Sequence, residues 1–304
     1  MAATAEAIVS GDVRAIARAA TSIENRAADA EPLLRELFPR TGRAVIVGVT
    51  GAPGSGKSTL VDQMVRALRQ EGRRVAVIAV DPTSPYTGGA ILGDRIRMQR
   101  HHDDPGVFIR SMATRSWLGG LARATTDMAL LLDAAGYEYV LVETVGVGQD
   151  EVEIARLADV TVVLLAPGMG DDVQAMKAGI MEIADVFVIN KSDLPGADRL
   201  ERELKASLAL SGRKPDTRPP IALTVAHEGR GIGEALAAVQ TRLQRGVRRE
   251  RAVTAWSMAL REMLRERLLE RYSDVNFEQA AAEVAARRRD PYSVVDEWLA
   301  RSEG

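Results

Sequence analysis

The stretch Gly51-Ala52-Pro53-Gly54-Ser55-Gly56-Lys57-Ser58-Thr59 restricts the fold of this chain more than any other. It fits G-x-x-x-x-G-K-[ST], a phosphate-binding loop. An apolar run, Ala44 to Thr50, precedes it and reads as a buried strand. Leu60, Val61, Met64, Val65 and Leu68 follow at helical spacing. Strand, glycine loop and helix are what the motif requires. Glycines let backbone N–H groups curl around phosphate oxygens, and the helix N-terminus adds a favourable dipole. Lys57 is expected to reach the β- and γ-phosphates, and the Ser58 hydroxyl to ligate Mg²⁺.

From Ala44 onward, strand and helix patterns alternate. Strands are predicted at 44–50, 74–80, 107–110, 138–143, 159–165, 185–190 and 221–225, with helices at 57–70, 119–135, 196–210 and 231–244. The expected fold is α/β: a mainly parallel, doubly wound sheet. In that architecture ligands sit at the carboxyl ends of strands. Residues 1–42 are predicted as a peripheral helical pair, with Asp12 capping the first helix and Glu31-Pro32 opening the second. Residues 43–245 form the nucleotide domain. Residues 246–304 form a charged helical arm with an apolar stripe of Val253, Trp256, Leu260, Met263, Leu264 and Leu268. A dimerisation role fits this arm better than a cap on a core the sheet already supplies.

Each remaining motif follows a strand end. After 74–80 comes a long proline- and glycine-rich loop with Asp81 and Asp94 at its borders. Either acid fits a Mg²⁺ ligand or a water-positioning group, and equally a helix cap or plain loop carboxylate. After 138–143 comes Glu143-Thr144-Val145-Gly146-Val147-Gly148-Gln149. An acid there suits a water held on Mg²⁺, Gly146 lets its N–H approach a γ-phosphate, and Gln149 is a water-orienting group or a polar loop residue. After 159–165 comes Pro167-Gly168-Met169-Gly170-Asp171-Asp172, with Lys177 close behind. Lys177 either pairs with Asp81 or Glu143 in one nucleotide state or is a solvated lysine.

Strand 185–190 ends in Asn190-Lys191-Ser192-Asp193. The Asp193 carboxylate can accept from guanine N1–H and the 2-amino group, whereas adenine offers it an acceptor. Asn190 is expected to brace the loop against the P-loop, and Lys191 to lay its aliphatic stem on the base. Thr224-Val225-Ala226 ends the last strand, with the Ala226 N–H a candidate contact for guanine O6.

Composition sets wider bounds. The 304 residues carry a net charge of -2, which gives no argument for nucleic acid. The chain has no cysteine, which excludes disulfides and thiolate chemistry and suits a reducing compartment. No secretory signal or membrane-length apolar run is visible, so the expectation is a soluble, cytoplasmic protein.

Together these motifs resemble the MeaB/ArgK family of P-loop GTPases, which includes the human methylmalonic aciduria type A protein. The specific parts are Asp81-Pro82-Thr83-Ser84-Pro85 with Thr87-Gly88-Gly89, the Glu143–Gln149 run, and Pro167–Asp172 through Met181-Glu182-Ile183-Ala184-Asp185. The resemblance implies a GTPase using GTP/GDP and Mg²⁺. It would act as a homodimeric chaperone that gates cofactor loading of an adenosylcobalamin-dependent acyl-CoA mutase. The chain itself is expected to bind no cobalamin. By motif position Ser58, Asp81, Asp94 and Glu143 surround Mg²⁺ and the catalytic water, and Asp81, Glu143 and Lys177 fall in three switch loops. Val225 departs from the commoner serine. Trp117 stands where a smaller residue is expected and marks a candidate partner surface. Alternatives are a nickel-insertion GTPase, which would want histidine clusters beyond His101-His102, and a P-loop kinase, which would want an acceptor pocket and a lid.

Overall fold

The computed structural model describes residues 4–82, 99–101, 103–114, 120–144, 150–168, 181–212, 214, 217–244, 248–272 and 275–301. Seven strands form one sheet: β1 (Val45–Gly51), β2 (Val75–Pro82), β3 (Val107–Thr114), β4 (Tyr139–Thr144), β5 (Val160–Leu165), β6 (Val186–Ile189) and β7 (Ile221–Leu223). Their order is β3-β2-β4-β1-β5-β6-β7, and every pairing is parallel. All seven carboxyl ends therefore share one rim. The strand order reverses around β1, so the P-loop leaves the sheet at the switch point where α/β ligands bind.

The helices are α1 (Ala5–Val9), α2 (Val13–Glu24), α3 (Ala30–Leu37), α4 (Lys57–Gln70), α5 (Gly120–Ala134), α6 (Asp150–Leu157), α7 (Ala197–Leu210) and α8 (Ile232–Gln244), followed by α9 (Arg248–Glu270), α10 (Phe277–Ala285) and α11 (Pro291–Arg301). A further helical turn spans Met181–Ile183. Interior parallel strands are covered on both faces and read as unbroken apolar runs. Every residue of β5 and β6 is buried.

Side chains alternate across the sheet. Val47 and Val49 of β1 and Val162 and Leu164 of β5 meet α4 and α8 on one face. Each fully buried side chain of α4, such as Leu60, Met64 or Leu68, contributes roughly 1.5–3 kcal/mol. On the other face, Ala76, Ile78, Val140 and Val142 meet α5 and the N-terminal helices. Phe187 and Ile189 pack on Leu200 and Leu204 of α7.

The N-terminal segment is more than a peripheral pair. It holds three helices, and Ile8, Ile16 and Leu37 are fully buried in the core shared with the sheet. Asp12 caps α2 as expected, accepting the Ala15 N–H at 2.9 Å. The turn into β1 is fixed by one carboxylate: Asp133 accepts the N–H groups of Gly42, Arg43 and Ala44 at 2.5, 3.2 and 3.0 Å. β3 runs four residues past its predicted end. The polar pair Arg110-Ser111 interrupts the apolar run, but the Arg110 guanidinium is paired with Glu24 of α2, and pairing to β2 continues to Thr114.

The chain divides into two compact units, residues 1–252 and 253–304. In the second unit, Asn276 caps α10 and Asp290 caps α11, each accepting a backbone N–H at 2.9 Å. The Phe277 and Trp298 rings meet edge-on at 5.0 Å. Val253, Leu260, Leu264 and Leu268 on α9 are exposed. Among the described residues no helix is long and apolar enough to cross a membrane.

Candidate nucleotide site

The P-loop depends on glycine where the backbone has no room for a side chain. Gly51 has φ +145°, and a Cβ there would lie 2.3 Å from the Leu164 carbonyl oxygen on β5. At Gly56, φ +98°, a Cβ would meet Asn190 Nδ2 at 2.3 Å. These contacts seat the loop on β5 and on the loop after β6. Lys57, almost fully buried, donates from Nζ to the Gly51 and Ala52 carbonyls at 2.7 and 3.1 Å. Its charge thus sits over the cradle in which the α4 N-terminus and glycine amides favour an anion.

Ser58 and Glu143 meet beneath this cradle. Glu143 lies opposite Val49 in the β1–β4 ladder, and Ser58 is the second residue of α4. The Ser58 hydroxyl donates to Glu143 Oε1 at 2.6 Å, and both side chains are buried. A buried carboxylate is stable only beside positive charge or donors. With its proton held by Glu143, the Ser58 oxygen keeps lone pairs for a hard cation. Two oxygen donors beside a phosphate cradle suit Mg²⁺, which takes few protein ligands and completes its shell with phosphate oxygens and water.

Asn190 ties the base side to the phosphate side. Its Nδ2 donates to the Ser55 carbonyl at 2.9 Å, and its Oδ1 accepts from Thr224 Oγ1 at 3.1 Å and Ala226 N–H at 3.0 Å. The brace expected of Asn190 is therefore present. Lys191, at φ +55°, donates from Nζ to the Gly54 carbonyl at 2.9 Å, and Asp193 is exposed beside it.

Thr224-Val225-Ala226 differs from expectation in detail. Thr224 is fully buried with its hydroxyl on Asn190, so it belongs to the brace. Val225 is also buried, and its backbone bridges Arg230 through two hydrogen bonds. The valine thus anchors the loop in the core. The Ala226 N–H, a candidate contact for guanine O6, is bonded to Asn190 Oδ1 in this structure.

Asp81 is the last residue but one of β2, opposite Ala113, at the rim that carries Glu143; its side chain lies outside the described residues. Asp94, Trp117, Gly146, Gln149 and Lys177 also lie outside them. His101 is largely buried, with Nε2 2.9 Å from Asp62 Oδ1 on α4. Two turns further along α4, Arg69 grips Asp104 with two bonds of 2.9 Å. The guanidinium holds the Asp104 carboxyl below the usual range, against the opposing effect of burial. Residues 101 and 104 are thus fixed to the P-loop helix. Sequence reasoning missed both pairs, because the partners are 39 and 35 residues apart and belong to no short motif.

Comparison with known proteins agrees with this geometry. The family model described as methylmalonyl Co-A mutase-associated GTPase MeaB matches residues 16–276. A Pyrococcus abyssi protein named as a GTPase is 47% identical over 310 residues, covering 96% of this chain and 93% of the relative. GTPase ArgK of Escherichia coli is 43% identical over 232 residues, covering 74% of this chain and 70% of ArgK. The crystal structure of LAO/AO transport system kinase superposes with a TM-score of 0.73 at 29% identity, over 99% of this chain and 96% of that one. The phosphate cradle, the Ser58–Glu143 pair and the Asn190 brace thus stand in a chain that belongs to the MeaB family of P-loop GTPases and hydrolyses GTP.

Proposed function

We propose that this GTPase serves as the nucleotide-timed chaperone of an adenosylcobalamin-dependent acyl-CoA mutase, with methylmalonyl-CoA mutase the first candidate. The observation that carries this reading is the match of residues 16–276 to a family described by its association with that mutase. In this reading GTP binds with its phosphates in the P-loop, and Lys57 turns from the Gly51 and Ala52 carbonyls to the β- and γ-phosphates. Mg²⁺, when bound, neutralises charge developing between the β- and γ-phosphates. Ser58 and Glu143 hold it, with Asp81 and Asp94 as further acids of the site. Gln149 orients the attacking water, and Lys177 pairs with an acid of the site in one nucleotide state. Asp193 reads guanine, and Lys191 lies along the base.

Hydrolysis alone is slow, because no arginine stands clearly placed by sequence as a finger. A client that orders the loops after β2, β4 and β5 speeds it. The arm from 246 onward supplies a homodimer contact, in keeping with the exposed Leu260 and Leu264 on α9. Cobalamin stays with the client.

The test is hydrolysis of γ-labelled GTP by the full chain, with and without purified methylmalonyl-CoA mutase. It is paired with co-sedimentation in GDP and in a non-hydrolysable GTP analogue. We expect phosphate released to water, a stimulated rate with the mutase, and binding that differs between nucleotides. Equal rates and no association would remove the mutase reading while leaving the GTPase intact. Label transferred to an acceptor would favour the kinase alternative.

A further inference from the structure

Glu143 and Thr144 are consecutive, so their side chains leave opposite faces of the sheet. Glu143 turns towards α4 and takes the Ser58 hydroxyl. Thr144 turns to the other face, where its Oγ1 donates to Thr50 Oγ1 at 3.0 Å. Both threonines are buried, at 1% and 0% exposure. The β1–β4 register ends at Val49 and Glu143, while on its other edge β4 pairs with β2 as far as Thr144, opposite Val80, so the hydroxyl pair adds a rung on the β1 side one residue further towards the rim. Thr50 directly precedes Gly51, whose carbonyl receives Lys57.

We infer that Thr144 and Thr50 form a positioning pair for the metal-holding carboxylate. Two pins in consecutive residues, one per face, fix the backbone from which the Glu143 side chain departs. The first pin is the Ser58–Glu143 bond itself. The second makes that bond's geometry independent of the chain that follows Thr144. Without it, the end of β4 is held beyond Glu143 on its β2 edge alone. Glu143 would then find the Ser58 oxygen and the cation only part of the time. The groups that support a metal ligand commonly matter nearly as much as the ligand. The inference concerns the GTPase site and stands whichever client the protein serves.

The test uses Thr144→Val in the full chain, which keeps volume and β-branching and removes only the hydroxyl. Mn²⁺ uptake by the protein–GDP complex is read by electron paramagnetic resonance, GDP binding by calorimetry in EDTA, and melting by circular dichroism. The apparent Mn²⁺ Kd should rise about 10-fold, with GDP affinity in EDTA unmoved and Thr144→Ser retaining the wild-type value. Thr50→Val should give the same shift. The double substitution should add little, because both singles delete one bond. A lowered melting temperature with unaltered Mn²⁺ affinity in both valine variants would overturn the inference. So would fully additive losses, or a wild-type GDP complex that takes up no Mn²⁺.

Discussion

In the proposed reading, the choice of base falls to a single carboxylate, Asp193. Guanine presents two donors on the edge that Asp193 would face, and an ionised carboxylate accepts both. Asp193→Asn exchanges one acceptor oxygen for an NH₂ donor that opposes the guanine amino group. GDP affinity should fall about 10- to 100-fold, the equivalent of roughly 1.5–3 kcal/mol for a charge-assisted hydrogen bond. Xanthosine diphosphate, with a carbonyl at that ring position, should bind the variant better than the wild type. Parallel calorimetric titrations with the two nucleotides check this, and an unchanged preference would take base selection away from Asp193. Contacts at this scale were legible where a motif placed the residue, as for Ser58, Glu143 and Asn190. They were illegible where a residue's partner is distant in sequence. Nothing near His101 points to Asp62, and nothing near Thr144 points to Thr50.

At the scale of elements, α4 carries both the phosphate-binding end and the anchors of His101 and Asp104. The Arg69–Asp104 pair lowers the Asp104 pKa through the guanidinium hydrogen bond. A depressed carboxylate pKa adds stability above its unfolded value, about 3.9, and that stability is lost as pH falls through the folded-state value. Asp104→Asn should therefore destabilise the protein by about 1–2 kcal/mol at neutral pH, with the gap to wild type closing at acid pH, below the ordinary carboxylate range. Urea denaturation at the two pH values measures it; a gap that persists in acid would mean the pair works through packing alone.

Element boundaries follow the same logic. Buried strands such as β5 announce themselves by uninterrupted apolar residues, and all seven were predicted to within a few positions. β3 was cut short because Arg110 looks like a strand end until its carboxylate partner on α2 is seen. β7 was drawn too long because Thr224 and Val225 look like strand residues, although they serve the brace and the core. α1, five residues long, is below the length at which periodicity can be read.

At the scale of the whole molecule, α9 presents apolar side chains that a lone helix in water would not favour. Leu260 and Leu264 are both 60% exposed and lie one turn apart. If they form the contact between two copies, Leu264→Arg should turn a dimer into a monomer while GTP hydrolysis in isolation stays at the wild-type rate. Light scattering across a concentration series reads the outcome. A dimer that survives the charge would move the contact elsewhere.

The Asn190 side chain joins two parts of the site that no strand pairing joins. One amide clasps the Ser55 carbonyl on the phosphate side and the Ala226 N–H on the base side. Pulling residues 224–226 away would slacken the grip on the phosphates in the same movement. A partner that tugs at this single knot could eject spent nucleotide in one event, without touching the P-loop.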